Sequence, residues 1–339
     1  MAHARISANL PPDIDPTKAP IAFGKRALPK LNEELGSPEL LTQQRALMAL
    51  CDLVHDPENV YQAIEVGFLD NLKTLLLHHD STVRQKTTQI LYIMAMRNVG
   101  REGLIQNGFI SALAELLDDP VDICRKNMHQ IFEIMAKLPQ GAVGILQAGL
   151  VPSLIFKLKT ELDGIQELIL DTLSSCLHVD ISEALATGAI TILKEKLTHS
   201  SAAIRSKAAW VLLEIGTHPE GKNLECDEVI PVLVSLLEDT DPEVQAAATG
   251  ALMFATVTPQ GRCSALGAEA IPPLLKLVAE ETSKARLGAI KTLTMLAELP
   301  EGREALLAHT DTFQQCLDHP CEAVKRAAKI AISVIKRNP

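Results

Sequence analysis

The chain has 339 residues, of which 47% are hydrophobic and 22% are charged, a composition that can bury a large core. Aromatic residues make up only 3%, which is low for a β-sandwich or barrel and favours an all-helical protein. The formal net charge of -10 opposes binding to the phosphates of nucleic acids and to anionic lipid. We therefore expect neither a nucleic-acid partner nor a membrane partner.

The start of the chain predicts its compartment. The segment MAHARISANLPPDIDPTKAP lacks the apolar core of a signal peptide, and no stretch approaches the roughly 20 apolar residues that span a bilayer. A cytoplasmic protein is expected. Residues 1–25 are rich in proline and lie outside the repeats described next, so they are predicted to form an extended arm that either caps the first repeat or binds a partner.

A short phrase recurs at intervals of 39 to 41 residues. It begins with glycine or glutamate before apolar residues, at Gly67, Gly108, Gly149, Gly188, Glu228 and Glu269. A second landmark keeps the same period, at Thr42, Val83, Cys124, Ile165, Ile204, Val244, Ala285 and Val324. Two landmarks in phase predict about eight repeats, which start near residues 26, 67, 108, 149, 188, 228, 269 and 308.

Each repeat is predicted to hold three helices. In residues 269–309, IPPLLKLVAE and SKARLGAIKTLTMLAEL both show the apolar spacing of three and four that is typical of a helix. The turn Pro300-Glu301-Gly302 then ends the longer helix, and a short helix follows. Three helices in about 40 residues describe an armadillo unit. The prediction is an all-α, right-handed superhelical armadillo solenoid over residues 26–339, with a concave wall built from one helix of each repeat.

Residues counted from the second landmark are expected to face that wall. Armadillo nuclear-import adaptors carry tryptophan six residues on and asparagine ten residues on, but here only Trp210 matches and no asparagine does, which argues against import. Three residues on, Arg45, Lys86 and Lys207 make the wall basic, so acidic or polar segments are plausible ligands. These cations could equally be ordinary solvated residues, and Trp210 either a binding hot spot or packing. The candidate partner-binding residues are Arg45, Lys86, Gln89, Asn127, Gln130, Lys207, Trp210 and Lys291.

Motifs of catalysis are missing from the sequence: there is no G-x-x-x-x-G-K-[ST], G-x-G-x-x-G, G-x-S-x-G or H-E-x-x-H. The seven cysteines lack C-x-x-C spacing and are expected to be buried, reduced thiols. His319, between Cys316 and Cys321, is interpreted as structural rather than as a metal ligand. We predict no enzymatic activity, cofactor, metal or small-molecule substrate. An enzyme on this scaffold would need a site assembled only in three dimensions.

Residues 229–252 resemble the armadillo consensus. They begin with Val229-Ile230-Pro231 and end with DPEVQAAATGAL. With the run DPTKAPIAFGKRALPKL at residues 15–31, the whole chain resembles the armadillo-repeat radial spoke head proteins of motile cilia. That resemblance implies a non-enzymatic component of the axonemal radial spoke, which regulates ciliary and flagellar beating. Its partners would be other radial spoke subunits in the axoneme. The alternative is a soluble adaptor that captures extended client peptides in trafficking or preassembly.

Overall fold

A computed structural model of the protein describes residues 27–222, 226–280 and 284–337. These residues form 22 α-helices and three short 3-10 helices, and no strand occurs among them. The prediction of an all-α fold is confirmed. The predicted N-terminal arm, residues 1–25, lies outside the described residues.

The helices follow one another in sets of three, an opening helix, a middle helix and a long helix. The long helices are α2 (Leu40–Leu53), α5 (Ser81–Ala95), α8 (Asp122–Ala136), α11 (Asp163–Leu177), α14 (Ala202–Thr217), α16 (Pro242–Ala255), α19 (Arg286–Leu296) and α22 (Glu322–Ile335). The middle helices are α1 (Ala27–Leu35), α4 (Phe68–Leu75), α7 (Phe109–Ala114), α10 (Val151–Lys157), α13 (Ala189–Leu197), α15 (Cys226–Ser235), α18 (Ile271–Ala279) and α21 (Thr310–Gln315). The opening helices are α3 (Pro57–Glu65), α6 (Asn98–Gln106), α9 (Pro139–Gln147), α12 (Ser182–Ala186), α17 (Pro259–Gly267) and α20 (Pro300–Leu307), with the 3-10 helix Pro219–Gly221 in the corresponding place before α15.

The chain divides into two compact units, Met1–Leu150 and Val151–Pro339. In the first unit, α5 packs against α2 on one side and against α8 on the other. In the second unit, the long helices α11, α14, α16, α19 and α22 pack each against the next in chain order. Each long helix also packs on the middle helix of its own set. Each unit is therefore a stack of helical repeats, in which a repeat buries its apolar face against its neighbours.

The turn that opens several middle helices requires a left-handed residue. Gly108 and Gly188 have φ of 68° and 71° and stand directly before the first residues of α7 and α13. Glycine adopts this conformation without the clash that a Cβ atom would cause. Glu269 takes the same conformation, with φ of 59°. At Glu228 the recurring phrase does not open a helix, because α15 already begins at Cys226.

One side chain near the start of each of seven long helices donates to a backbone carbonyl at the end of the preceding middle helix or in the turn that follows it. Carbonyls at the end of a helix have no partner within the helix, and those of the turn after it likewise need a donor. Gln166 donates to the carbonyl of Glu161 at 2.7 Å, and Arg205 donates to the carbonyls of His199 and Ser200 at 2.9 and 3.0 Å. The side chains with this role all follow the second landmark by one residue, and they are Gln43, Arg84, Arg125, Gln166, Arg205, Gln245 and Arg286.

Two of these arginines also form an ion pair with the next repeat. The Nε atom of Arg84 is 2.7 Å from Oδ2 of Asp119, and that of Arg205 is 2.8 Å from Oδ2 of Asp239. Burial alone would raise the pKa of Asp239, but hydrogen bonds from Arg205 and from the backbone N–H of Asp241 outweigh it and hold the pKa below its ordinary value. The two pairs therefore join neighbouring repeats through largely buried charges.

Candidate functional site

Three successive long helices of the second unit, α16, α19 and α22, form an open groove of about 650 Å³. Most of its lining is apolar, and Ile330 keeps 51% of its surface exposed. The lining residues are Met253, Phe254, Val257, Leu287, Lys291, Thr294, Met295, Glu322, Ala323, Arg326, Ala327 and Ile330. An apolar surface of this extent that remains open to water is typical of a binding site.

The lining follows from helical spacing on each long helix. Phe254 lies near the end of α16, and Val257 lies in the turn after it. Leu287, Lys291 and Met295 follow one another at four-residue intervals on α19, and Ala323, Ala327 and Ile330 lie three or four residues apart on α22. Residues at these spacings lie on one face of a helix. The contribution of α22 includes two alanines, whose small side chains leave room between the helices. The groove is therefore built from the corresponding faces of three neighbouring helices.

The charged groups of the groove lie on α19 and α22. Lys291 and Arg326 form no hydrogen bond or ion pair with the described residues, whereas Glu322 accepts a hydrogen bond from Lys325 at 2.7 Å. That hydrogen bond is the main cause of a lowered pKa of Glu322, and nearby Lys329 and Arg326 contribute less. The groove consequently presents, beside an apolar surface, two cations that form no hydrogen bond or ion pair within the described part of the chain.

Trp210 lies on α14, the long helix before α16, and 41% of its surface is exposed. A Cβ atom placed on Gly250 would lie 3.8 Å from Cζ3 of the indole ring, so α16 passes close beside it. Lys207, one turn before Trp210, has its Nζ atom 2.6 Å from Asp171 and 3.8 Å from Glu167 on α11. The charge of Lys207 is thus matched within the unit.

The first unit holds the other predicted candidates. The half-buried ones are Arg45 on α2, Lys86 and Gln89 on α5, and Gln130 on α8. Lys86 donates to Gln89 across 3.1 Å on the same helix. Asn127 is only 6% exposed, and its Nδ2 atom donates to Oγ1 of Thr88 at 3.1 Å. Asn127 therefore joins α8 to α5 and presents no open surface to a partner.

Of the eight candidates, Lys291 alone lines the groove. Phe254, Met295 and Ile330 were missed, although they stand at the sixth or tenth position after the second landmark, on the face expected to line the wall. A comparison with the tryptophan and asparagine of import adaptors passes over apolar residues. The signal that could have found the groove was the apolar residues at these positions on three consecutive long helices.

Comparison with known proteins agrees with the helical stack. A family model of HEAT repeats matches residues 190–294. A crystal structure of an engineered protein is similar with a TM-score of 0.84 and 23% identity, covering 92% of this chain and 79% of that one. A designed armadillo repeat protein in complex with the peptide (KR)4 is similar with a TM-score of 0.62 and 24% identity, covering 67% of this chain and 99% of that one. The fold is of the armadillo/HEAT repeat type.

Three histidines of this armadillo/HEAT-type fold stabilise turns by accepting a backbone hydrogen bond. Nδ1 of His319 accepts the backbone N–H of Cys321 at 3.1 Å, and His78 and His199 accept the N–H two residues on at the same distance. These turns precede long helices of the repeat.

Within the described ranges, no group of three or more His, Cys, Asp and Glu side chains is placed to hold a metal ion. No single described helix is long and apolar enough to cross a membrane, and α9 with α10 meets that length only as a broken pair.

The cysteines are not uniformly buried. Cys51, Cys124, Cys176 and Cys316 are buried, whereas Cys263 and Cys321 are exposed. The prediction of buried thiols is therefore wrong for the last two, and the side chain of Cys226 lies outside the described ones. Burial raises the pKa of Cys124 to about 11 and that of Cys176 to about 12.

Native protein treated with a maleimide at neutral pH is expected to be modified at Cys263 and Cys321, while Cys124 and Cys176 stay unmodified. The reason is that a thiolate is the nucleophile, and burial suppresses both its formation and its access to the reagent. Mass spectrometry of proteolytic fragments would locate the modified residues. The same protein in urea is the control, in which all four thiols should react. Fast modification of native Cys176 would contradict the described packing of α11.

Proposed function

We propose that the chain is a non-catalytic scaffold that binds other proteins through the groove between α16, α19 and α22. The observation that carries this proposal is the open apolar groove of about 650 Å³, with two cations that form no hydrogen bond or ion pair to the described residues. Water contact with so much apolar surface is unfavourable, and a protein partner that covers the groove would remove it. The repeat fold is typical of such scaffolds, because it presents long helical faces without a central active site.

We further propose that this scaffold is a structural component of the axonemal radial spoke, with other radial spoke subunits as its partners. The support is the resemblance carried by residues 15–31 and by the repeat phrase. In this role the protein would reside in the axoneme of cilia and flagella, on the cytoskeleton, and would support their motility.

The second candidate function is a soluble adaptor that captures client segments reversibly. Two observations favour it: the groove is open, with Ile330 half-exposed, and one similar structure is of computationally designed armadillo repeat proteins for modular peptide recognition. A permanent structural subunit buries broad faces, whereas an adaptor exchanges its ligand. The two candidate functions therefore differ in how firmly the protein is bound to its partners.

Tagged protein expressed in multiciliated cells is expected to remain with axonemes after detergent extraction and to copurify with radial spoke proteins. Mass spectrometry of the retained fraction identifies those partners. A protein that washes into the soluble fraction with unrelated clients would contradict the ciliary role and support the adaptor.

Ile330→Glu is expected to reduce the copurified partners about tenfold or more, because a charge placed in an apolar contact must be desolvated. Leu307→Glu is the matched control, since Leu307 has the same 51% exposure but lies on α20 outside the groove. Equal recovery of partners with both variants would show that the groove is not the contact surface.

A further inference from the structure

The groove offers hydrogen-bond donors to a ligand but few acceptors. Among the lining residues, acceptor oxygens occur in two side chains: Thr294, whose hydroxyl donates to the carbonyl of Ile290 at 2.7 Å, and Glu322, one of whose oxygens accepts a hydrogen bond within α22. Lys291 and Arg326 carry only N–H donors. The rest of the lining is apolar. A ligand therefore finds little with which to pair its own backbone N–H groups.

This scarcity of acceptors selects the conformation of the ligand. An extended segment presents an N–H group at every residue, and each one that is buried without a partner weakens binding. An α-helix pairs these groups internally and presents side chains alone. We propose that the groove binds one amphipathic α-helix of a partner protein, with acidic residues beside its apolar stripe. This inference rests on the proposed protein-binding function and specifies the class of partner.

The cations set the charge of that helix. Lys291 and Arg326 are unpaired with the described residues, and both border apolar surface that a ligand would cover. Acidic side chains at the edge of the apolar stripe would pair with them as water leaves the groove. Basic side chains at the same positions would bring like charges together and oppose binding.

The dimensions of the groove set the length of the helix. Packed helices lie about 8–10 Å apart, so the distance from α16 to α22 is about 16–20 Å. A helix that crosses this distance needs about 11–13 residues, because each residue adds about 1.5 Å. Met253 and Met295 line the path, and methionine adapts its shape to different apolar partners.

Two displayed peptide libraries of the same composition test the proposal. Each peptide is about 14 residues long, enough to cross about 20 Å as a helix. One library fixes leucine and phenylalanine at helical spacing with glutamate beside them, and the other fixes the same residues in strict alternation, which suits an extended strand. Wild-type protein is expected to enrich the helical library over the alternating one at least about tenfold, and circular dichroism should show helix formation on binding.

Three results would overturn the proposal: equal enrichment of the two libraries, preference for the alternating library, or enrichment of neither. Ile330→Glu should remove the enrichment, and Leu307→Glu, with equal exposure, should retain it. Retention by both variants would also overturn the proposal. If partners copurify from ciliated cells but the helical library is not enriched, the inference fails and the proposed function stands. If the helical library is enriched but no partner copurifies, the proposed function fails.

A change of specificity separates binding from misfolding. The double variant Lys291→Glu with Arg326→Glu should select helical peptides whose flanking residues are lysine in place of glutamate, because the charge of the groove is reversed. A misfolded groove would select neither class. Continued preference of the double variant for acidic flanks would show that these two cations do not contact the ligand.

Discussion

Replacing Gly261 with alanine is expected to destabilise the second unit by about 3 kcal/mol, seen as a lower midpoint of urea unfolding. A Cβ atom at this position would lie 2.0 Å from the carbonyl oxygen and 2.8 Å from the carbonyl carbon of Ala255. This obstacle is backbone at the end of α16, so no side-chain rotation relieves it. The clash outweighs the roughly 1 kcal/mol that alanine gains over glycine within a helix.

Gly164→Ala on α11 is the control for this prediction. A Cβ atom at residue 164 meets nothing within 4 Å, so the unfolding midpoint should stay unchanged or rise slightly. Equal destabilisation by the two substitutions would show that the carbonyl contact is not the cause. The same approach to the carbonyl oxygen six residues earlier recurs, at 2.1, 1.9, 1.9 and 2.2 Å, at Gly100, Gly141, Gly221 and Gly302.

These glycines show why so much of the fold could be predicted from the sequence. The Pro-x-Gly sequence, as in Pro259 to Gly261 at the start of α17, limits the backbone through residues that are adjacent in the chain. The apolar face of a long helix is likewise determined by residues within about four helical turns of one another. Such local constraints recur every 39 to 41 residues and therefore predict where each turn and long helix stands.

Lys207 and Asn127 show where prediction from the sequence ends. Both follow the second landmark by three residues, so counting alone places them on the same face. Lys207 is paired with Asp171, 36 residues away, and Asn127 with Thr88, 39 residues away. These partners belong to the preceding repeat, and the pattern within one repeat does not contain them. The predicted basic surface is consequently reduced in the second unit.

The groove depends on the same kind of relation between repeats. Ile330 and Met295 belong to apolar helical runs, and in the sequence they resemble core residues. Only packing decides which apolar residues a neighbouring helix covers. Ile330 remains half-exposed on α22, on the face that lines the groove with α16 and α19.

Arg205→Gln is expected to lower the stability of the second unit by about 3 kcal/mol while keeping a hydrogen bond to the turn after α13. Gln166 and Gln245 already donate to the corresponding turns, so the substitution removes only the ion pair with Asp239. Breaking a buried pair costs about 3–5 kcal/mol, since the remaining charge loses its counter-ion. The 15% exposure of Arg205 and 8% of Asp239 place this pair at the lower end.

Fluorescence of Trp210 would measure this loss, because it is the only tryptophan in the sequence and lies on the same helix as Arg205. The stability that Arg205→Gln removes should depend on pH. The pKa of Asp239 is lowered in the native protein, so the pair contributes fully above the carboxyl pKa of the unfolded chain, about 3.9, and its contribution is lost as pH falls through the native value. The difference between wild type and variant should therefore be largest near neutral pH and shrink below about pH 4.

Lys194→Gln tests whether the loss of stability in Arg205→Gln depends on the burial of the ion pair. It breaks a second pair between neighbouring repeats, in which Nζ of Lys194 is 2.7 Å from Oε2 of Glu228, but the two side chains are 32% and 64% exposed. Water screens such a pair, so the unfolding midpoint should not change. An equal loss in Lys194→Gln and Arg205→Gln, or a loss that does not depend on pH, would contradict this account. The joint between these repeats would then depend on the apolar contact of α14 with α16, and the charge of Asp239 would be incidental to it.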